Sequence, residues 1–193
     1  ELLAEDVSKL CLLGRHIEPL EKLKAKLDVS SQADLQSSTD LSLLADADLI
    51  LTVTSAVNED VIRPEHLRAG SVVCDVARPR DVSAMVAAAR VDILEIDGGM
   101  VDIPGLVDFH FDFGFPEGKA YACMAETMAL ALEGRFEDYT LGKEITRTRV
   151  DEITEIAKKH GFCLSGFRSF EKEITSAQIE AVRRSAVKRN AKT

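Results

Sequence analysis

Gly70-Ser71-Val72-Val73-Cys74-Asp75-Val76 is the stretch on which the fold turns. Its β-branched centre suits a core strand, and Ala77-Arg78-Pro79 ends it in a loop that proline stiffens. Upstream, Asp48-Leu49-Ile50-Leu51-Thr52-Val53-Thr54 reads as a second core strand, and Leu10-Cys11-Leu12-Leu13, stopping at Gly14, has the length of a strand buried on both faces. Downstream, Val91-Asp92-Ile93-Leu94-Glu95-Ile96-Asp97 runs into Gly98-Gly99. Helical signals lie between them. Leu20, Leu23 and Leu27 mark one face of an amphipathic helix. A second helix is expected to start near Thr39-Asp40, whose side chains can accept from first-turn N–H groups, and an Ala-rich helix is expected over 82–89.

Strands separated by helical segments imply right-handed crossovers and an α/β fold, a Rossmann-like, mostly parallel sheet with helices on both faces, followed here by a helical C-terminal part. The reading assigns 1–118 to that domain, 119–182 to a helical catalytic and substrate segment, and 183–193 to a frayed basic tail. A dinucleotide domain carries GxGxxG after its first strand, and this sequence has none. Because Glu1-Leu2-Leu3-Ala4-Glu5-Asp6 resembles the end of a helix already under way, the first strand and its Gly-rich loop are expected to precede Glu1.

Composition narrows the function. The net charge of −9 argues against a nucleic-acid binder, which needs a basic surface to displace counterions. No apolar run reaches the length of a membrane span. Cys11, Cys74, Cys123 and Cys163 are far apart and form no zinc-type cluster, so no metal is expected, and reduced thiols in a cytoplasmic protein are the reading.

Ligands of such sheets bind at the carboxyl ends of the strands. The residues there are Arg15, then Thr54, Ser55 and Ala56, then Ala77, Arg78 and Pro79, then Gly98 and Gly99, and all nine are taken as cofactor-binding candidates. Where NAD-preferring domains place a carboxylate on the ribose, this chain has Gly14-Arg15-His16. A guanidinium there suits the 2′-phosphate of NADPH, although a solvated arginine accounts for it equally. The small polar residues after Thr52 also suit an ordinary strand, and Asp81 also suits a helix cap. His160 stands before Gly161, where it can be a general acid or base or a helix C-cap. Phe109, Phe111, Phe113 and Phe115, half of the eight phenylalanines, alternate around Asp108 and His110 as one wall of an acyl pocket or the buried face of a strand.

Two resemblances add to this. Asp75-Val76-Ala77-Arg78-Pro79-Arg80-Asp81-Val82 is similar to a segment in the NADP domain of glutamyl-tRNA reductases. Ala120-Tyr121-Ala122-Cys123-Met124-Ala125-Glu126-Thr127-Met128, Tyr139-Thr140-Leu141-Gly142, Lys159-His160-Gly161-Phe162 and the stretch from Asp97 to Gly105 together resemble the C-terminal half of the long-chain acyl-acyl-carrier-protein reductases of cyanobacteria and their bacterial relatives. That resemblance implies NADPH-dependent reduction of a fatty acyl thioester, on acyl-carrier protein or CoA, to an aldehyde. Cys123 aligns with the cysteine that takes the acyl group, and its expected place near a helix start would by itself lower a thiol pKa. The 108–118 loop departs from the cyanobacterial pattern. Lys143, Arg147, Arg149, Lys158 and Lys159 are candidates for docking an acidic carrier or for an ordinary solvated helix face. The alternatives are an amino-acid or shikimate-like dehydrogenase without a covalent cysteine, and a non-catalytic binding module.

Overall fold

The computed structural model describes residues 2–29, 31–56, 61–77, 79–113, 115–142, 145–170 and 172–191. The chain divides into two compact units, Glu1–Asp46 and Ala47–Thr193. In the first, strand β1 (Lys9–Leu13) leads through helix α1 (Ile17–Asp28) to strand β2 (Asp34–Ser38). The strands pair in parallel, Leu10 against Leu35 and Leu12 against Ser37. The apolar face of α1 closes over them through Leu23 and Leu27, with Ala4 and Leu35 completing a small core. Strand β2, Asp-Leu-Gln-Ser-Ser, is too polar to announce itself in the sequence. The helix expected from Thr39-Asp40 is a short 3-10 turn, Leu41–Asp46, which Asp40 caps by accepting from Ser42 N–H at 2.9 Å.

The second unit is built on strands β3 (Leu49–Thr52), β4 (Val72–Asp75) and β5 (Leu94–Asp97), parallel and in that spatial order. A 3-10 turn at Pro64–His66 lies between β3 and β4, and helix α2 (Ala84–Ala89) between β4 and β5. The register sets Ile50, Val73 and Glu95 side by side, then Thr52, Asp75 and Asp97 one pleat further on. That face is buried. The other is not: Leu49, Leu51 and Val53 remain 55%, 51% and 66% exposed, so β3 is covered on one face only.

Beyond β5 the chain does not become purely helical. Strands β6 (Met100–Asp102) and β7 (Lys119–Tyr121) pair antiparallel, and strand β8 (Cys163–Leu164) joins the other edge of β6. Because the ladder of β6 on β7 crosses residue 118, the chain does not separate there, contrary to the expected boundary. Helix α3 (Ala122–Leu132) follows β7 directly and packs on helix α4 (Arg147–Lys159) through Ala125, Ala129, Leu130 and Ile156. The small alanines let the two helices approach closely.

Strands β9 (Arg168–Ser169) and β10 (Lys172–Glu173) form a hairpin ahead of helix α5 (Ser176–Asn190). This corrects the expected frayed tail, since α5 continues ordered to Asn190. Thr175 and Gln178 form a capping box at its start. At its end Arg189 donates to the Ala69 carbonyl at 2.7 Å and pairs with Asp48 at 2.6 Å. Between these points Gly70, at φ +81°, lets the backbone of α5 come so near that an added Cβ would lie 2.4 Å from Ala186.

Gly70→Ala should therefore cost on the order of 2–4 kcal/mol, combining left-handed strain with backbone overlap. Gly134→Ala, at φ +73° with nothing within 4 Å, should pay the strain alone. Urea unfolding of the two variants measures the difference, and equal losses would mean that α5 does not seat against Gly70.

Candidate active site

The carboxyl ends of β3, β4 and β5 are tied together by buried carboxylates. Asp75, at the end of β4, accepts from the N–H groups of Ala77 at 3.0 Å and of Asp81 and Val82 at 2.9 Å each. Burial pushes its carboxyl up, and the Val82 and Ala77 N–H bonds oppose that rise. Asp81 accepts from the hydroxyls of Thr52 and Thr54 and from Thr54 N–H at 3.1 Å. It is thus a brace between strand ends, and the cap of α2 is Ser83, which accepts from Val86 N–H. From the same loop Arg80 grips Asp97 with two bonds, 2.8 and 3.1 Å, while its guanidinium lies 4.8 Å above the ring centre of Phe170 in the β9–β10 turn.

Gly98 N–H donates to the Asp75 carbonyl at 3.1 Å, and Gly99, at φ +81°, turns the chain into β6. A Cβ at Gly98 would lie 2.6 Å from the Val76 side chain, which would have to shift to admit one. The Gly99 carbonyl accepts from Ala122 N–H, the first residue of α3, at 2.5 Å. This bond brings the start of α3 to the carboxyl edge of the sheet, and Cys123 stands exposed on the next residue. Tyr121 caps the helix without a side-chain bond. First-turn N–H groups and the positive end of the helix dipole thus lie beside the thiol.

Helix α3 has two faces. Met124, Ala125, Met128 and Ala129 turn into the core, whereas Cys123, Glu126, Thr127 and Ala131 share the opposite stripe. That stripe opens onto a cavity of about 700 Å³ between α3 and the 135–141 segment, where Thr140 hydroxyl bonds the Glu126 carboxylate.

The phenylalanines do not form a strand face. In an irregular loop their rings touch in series: Phe109 to Phe113 at 5.6 Å, Phe111 to Phe113 at 4.8 Å, Phe113 stacked on Phe115 at 5.4 Å, and Phe115 edge-on to Tyr121 at 5.1 Å. The series ends at the cap residue of α3 and remains open to solvent at Phe111, 68% exposed. Asp108 and His110 pair at 3.0 Å on its exposed side.

The other expected residues fall as follows. Arg15 is exposed just past β1, in the first unit. Thr54 and Ser55 are exposed and Ala56 half-buried after β3; Ala77 is buried and Pro79 exposed after β4; Arg78 lies outside the described residues. His160 is not brought to Cys123. It caps α4, with Nε2 2.6 Å from Glu133, the C-cap of α3, and the helical rise puts Glu133 about 15 Å along α3 from Cys123. Lys159 bonds that carboxylate at 2.7 Å and, with His160, holds it below the usual carboxylate range. Lys158 pairs with Glu155 and Arg149 donates to the Tyr139 carbonyl, Arg147 is exposed at the start of α4, and Lys143 lies outside the described residues. Burial raises the thiols of Cys11 and Cys74. Among the described residues no group of His, Cys, Asp and Glu could hold a metal, and no helix is long and apolar enough to cross a membrane.

Residues 1–98 match the family described as Shikimate / quinate 5-dehydrogenase. The chain is similar to the aminotransferase PigE of Serratia sp., 38% identical over 138 residues, 70% of this chain and 16% of PigE. It is similar also to the long-chain acyl-[acyl-carrier-protein] reductase of Synechococcus elongatus, 29% identical over 161 residues, 81% of this chain and 45% of that protein. The chain spans less than half the length of each of these relatives.

Glu95 carries no signal of its own in the sequence, where it is one residue of the core strand 91–97. It is 4% exposed on the buried sheet face, accepts from Ser169 hydroxyl through one oxygen, and leaves Oε1 without a partner. Burial first, then Asp97 and Asp75, push its carboxyl from 4.5 to about 7, against the pull of Ser169 and Arg80. A carboxyl raised by folding stabilises the fold most fully below 4.5 and loses that contribution as pH rises through about 7. The shift is worth about 3 kcal/mol. Glu95→Gln should accordingly raise the unfolding temperature at pH 8 and change it little at pH 5. A difference between variant and parent that does not widen with pH would contradict the assignment.

Proposed function

The chain belongs to the Shikimate / quinate 5-dehydrogenase family, and from that premise we propose that it forms part of an NADPH-dependent reductase that converts an acyl thioester to an aldehyde through an acyl group held on Cys123. The family match ends at residue 98, before the helix that carries the cysteine, so it speaks for the cofactor-binding part. The likeness to the acyl-carrier-protein reductase extends over 81% of the chain and supports the acyl chemistry. The single observation that carries the reading is the bond from Ala122 N–H to the Gly99 carbonyl, which sets an exposed thiol at the carboxyl edge where ligands of parallel sheets bind.

The residues suit a phosphorylated dinucleotide. In the first unit no carboxylate follows β1, where Arg15 offers an exposed guanidinium for a 2′-phosphate. In the second unit Gly98 and Gly99 keep the end of β5 free of side chains for close approach, and Thr54, Ser55, Ala56, Ala77 and Pro79 would line the carboxyl edge of that unit's own sheet. When bound, NADPH supplies the hydride that the acyl carbonyl accepts.

Cys123 does the remaining chemistry. As the thiolate, its Sγ attacks the thioester carbonyl, the carbon–sulfur bond to the carrier breaks, and the carrier thiolate leaves to take up a proton. The acyl group is then fixed to the enzyme, which holds its carbonyl in one place for reduction. On reduction the bond to Sγ breaks, aldehyde departs, and the Cys123 thiolate returns. Phe109, Phe111, Phe113 and Phe115 offer the acyl chain an apolar surface that begins at Tyr121. A dehydrogenase acting on a shikimate-like hydroxy acid would share the sheet edge and need no cysteine.

In the intact protein, incubation with an acyl thioester without NADPH should add one acyl mass to the peptide containing Cys123. Cys123→Ser should abolish both the adduct and aldehyde formation, and a near-normal aldehyde rate from that variant would put the dehydrogenase reading first. Arg15→Ala should weaken NADPH by about one to two decades and NADH far less, since a charge-assisted contact is worth about 1.5–3 kcal/mol. Calorimetric titration with both cofactors decides it, and equal losses would remove Arg15 from the site.

A further inference from the structure

We propose that the cavity along the outward face of α3 holds the amide-bearing thiol arm by which a thioester substrate is joined to its carrier. The proposal rests on the acyl-thioester reading and assigns a place to the half of the substrate that leaves. Cys123, Glu126, Thr127, Leu130 and Ala131 follow one another at helical spacing, so the cavity begins one turn from the thiol and continues down the same stripe for about 7.5 Å, to about 12 Å from Cys123. A thioester bound at Cys123 extends in two directions from its carbonyl. The structure offers two different surfaces. The ring series that meets α3 at Tyr121 is wholly aromatic and suits a hydrocarbon chain.

The cavity has another chemistry. The Glu126 carboxylate and the hydroxyls of Thr127 and Thr140 lie in it beside Leu130, Ala131 and Leu141. A chain in which amides alternate with short runs of methylenes matches that wall, since its N–H groups donate to the Glu126 carboxylate and to the two hydroxyl oxygens, whose own protons go to Glu126 from Thr140 and to the Cys123 carbonyl from Thr127, and its methylenes cover the aliphatic side chains. A plain acyl chain would cover the Glu126 carboxylate without donating to it in place of water, which costs free energy. An anionic ligand is opposed by Glu126, Glu137 and Asp138, with Arg135 already engaged by Glu137 and Glu152. The occupant is therefore neutral along this stretch.

The test compares two thioesters of the same acyl group, one on N-acetylcysteamine, with one amide, and one on pantetheine, whose longer arm has two. In the intact protein, Ala131→Trp fills the cavity from an exposed helix position and should lower the ratio of kcat/KM for the pantetheine thioester to that for the N-acetylcysteamine thioester about tenfold. Thr140→Val, nearly isosteric, should lower the same ratio about threefold. Thermal unfolding identifies a variant that has lost its fold, and the Thr140→Val ratio then decides alone. An unchanged ratio in a folded variant overturns the proposal and leaves Cys123 chemistry standing. Failure of the unaltered intact protein, supplied with NADPH, to reduce either thioester overturns the acyl-thioester reading, and this proposal with it.

Discussion

The site depends on a carboxylate buried at the end of the central strand. Asp75 is taken wholly out of water, which is tolerable because the N–H groups of Ala77, Asp81 and Val82 surround it. Those same bonds bend the chain after β4 back over the sheet edge. The bend delivers Asp81 to Thr52 and Thr54, which fixes the end of β3, and Arg80 to Asp97, which fixes the end of β5. The Asp75 carbonyl also receives Gly98 N–H, one residue before the glycine that anchors α3. One buried acid thus sets the positions of three strand ends and, through Gly98 and Gly99, of the helix that presents Cys123.

That arrangement concentrates negative charge. Asp75, Asp81, Glu95 and Asp97 crowd the covered side of the sheet with Arg80 as a countercharge, and the chain meets the cost by holding a proton on Glu95 up to about pH 7. The β9–β10 hairpin closes over this region through Ser169 and Phe170.

Helix α3 separates its tasks by end and by face. Its start, without a side-chain cap, leaves N–H groups and the positive dipole end to the thiol. Its finish is clamped to the finish of α4, where Glu133 takes bonds from Lys159 and lies against His160. The alanines turned inward allow close packing on α4, and the outward stripe leaves Cys123 open.

The sequence by itself determined the elements whose signals are local. β-Branched runs marked β3, β4 and β5, leucine spacing marked α1, and Cys123 was readable as lying near the start of a helix. Polar β2 and the pairing of β6 with β7 escaped it, because strand pairing is a relation between distant segments that neither segment encodes alone. The tail's basic composition suggested fraying, whereas α5 is held by Arg189 on Asp48 and by the hollow at Gly70, contacts more than a hundred residues apart. Both His160 and Cys123 were candidates in the sequence, Cys123 as the nucleophile and His160 as an acid, a base or a helix cap, and only the tertiary structure set them at opposite ends of α3. Glu95 looked like any residue of a core strand. Its proton and its solvent-free setting follow from neighbours that folding brings together, since a pKa is fixed by surroundings and not by the residue.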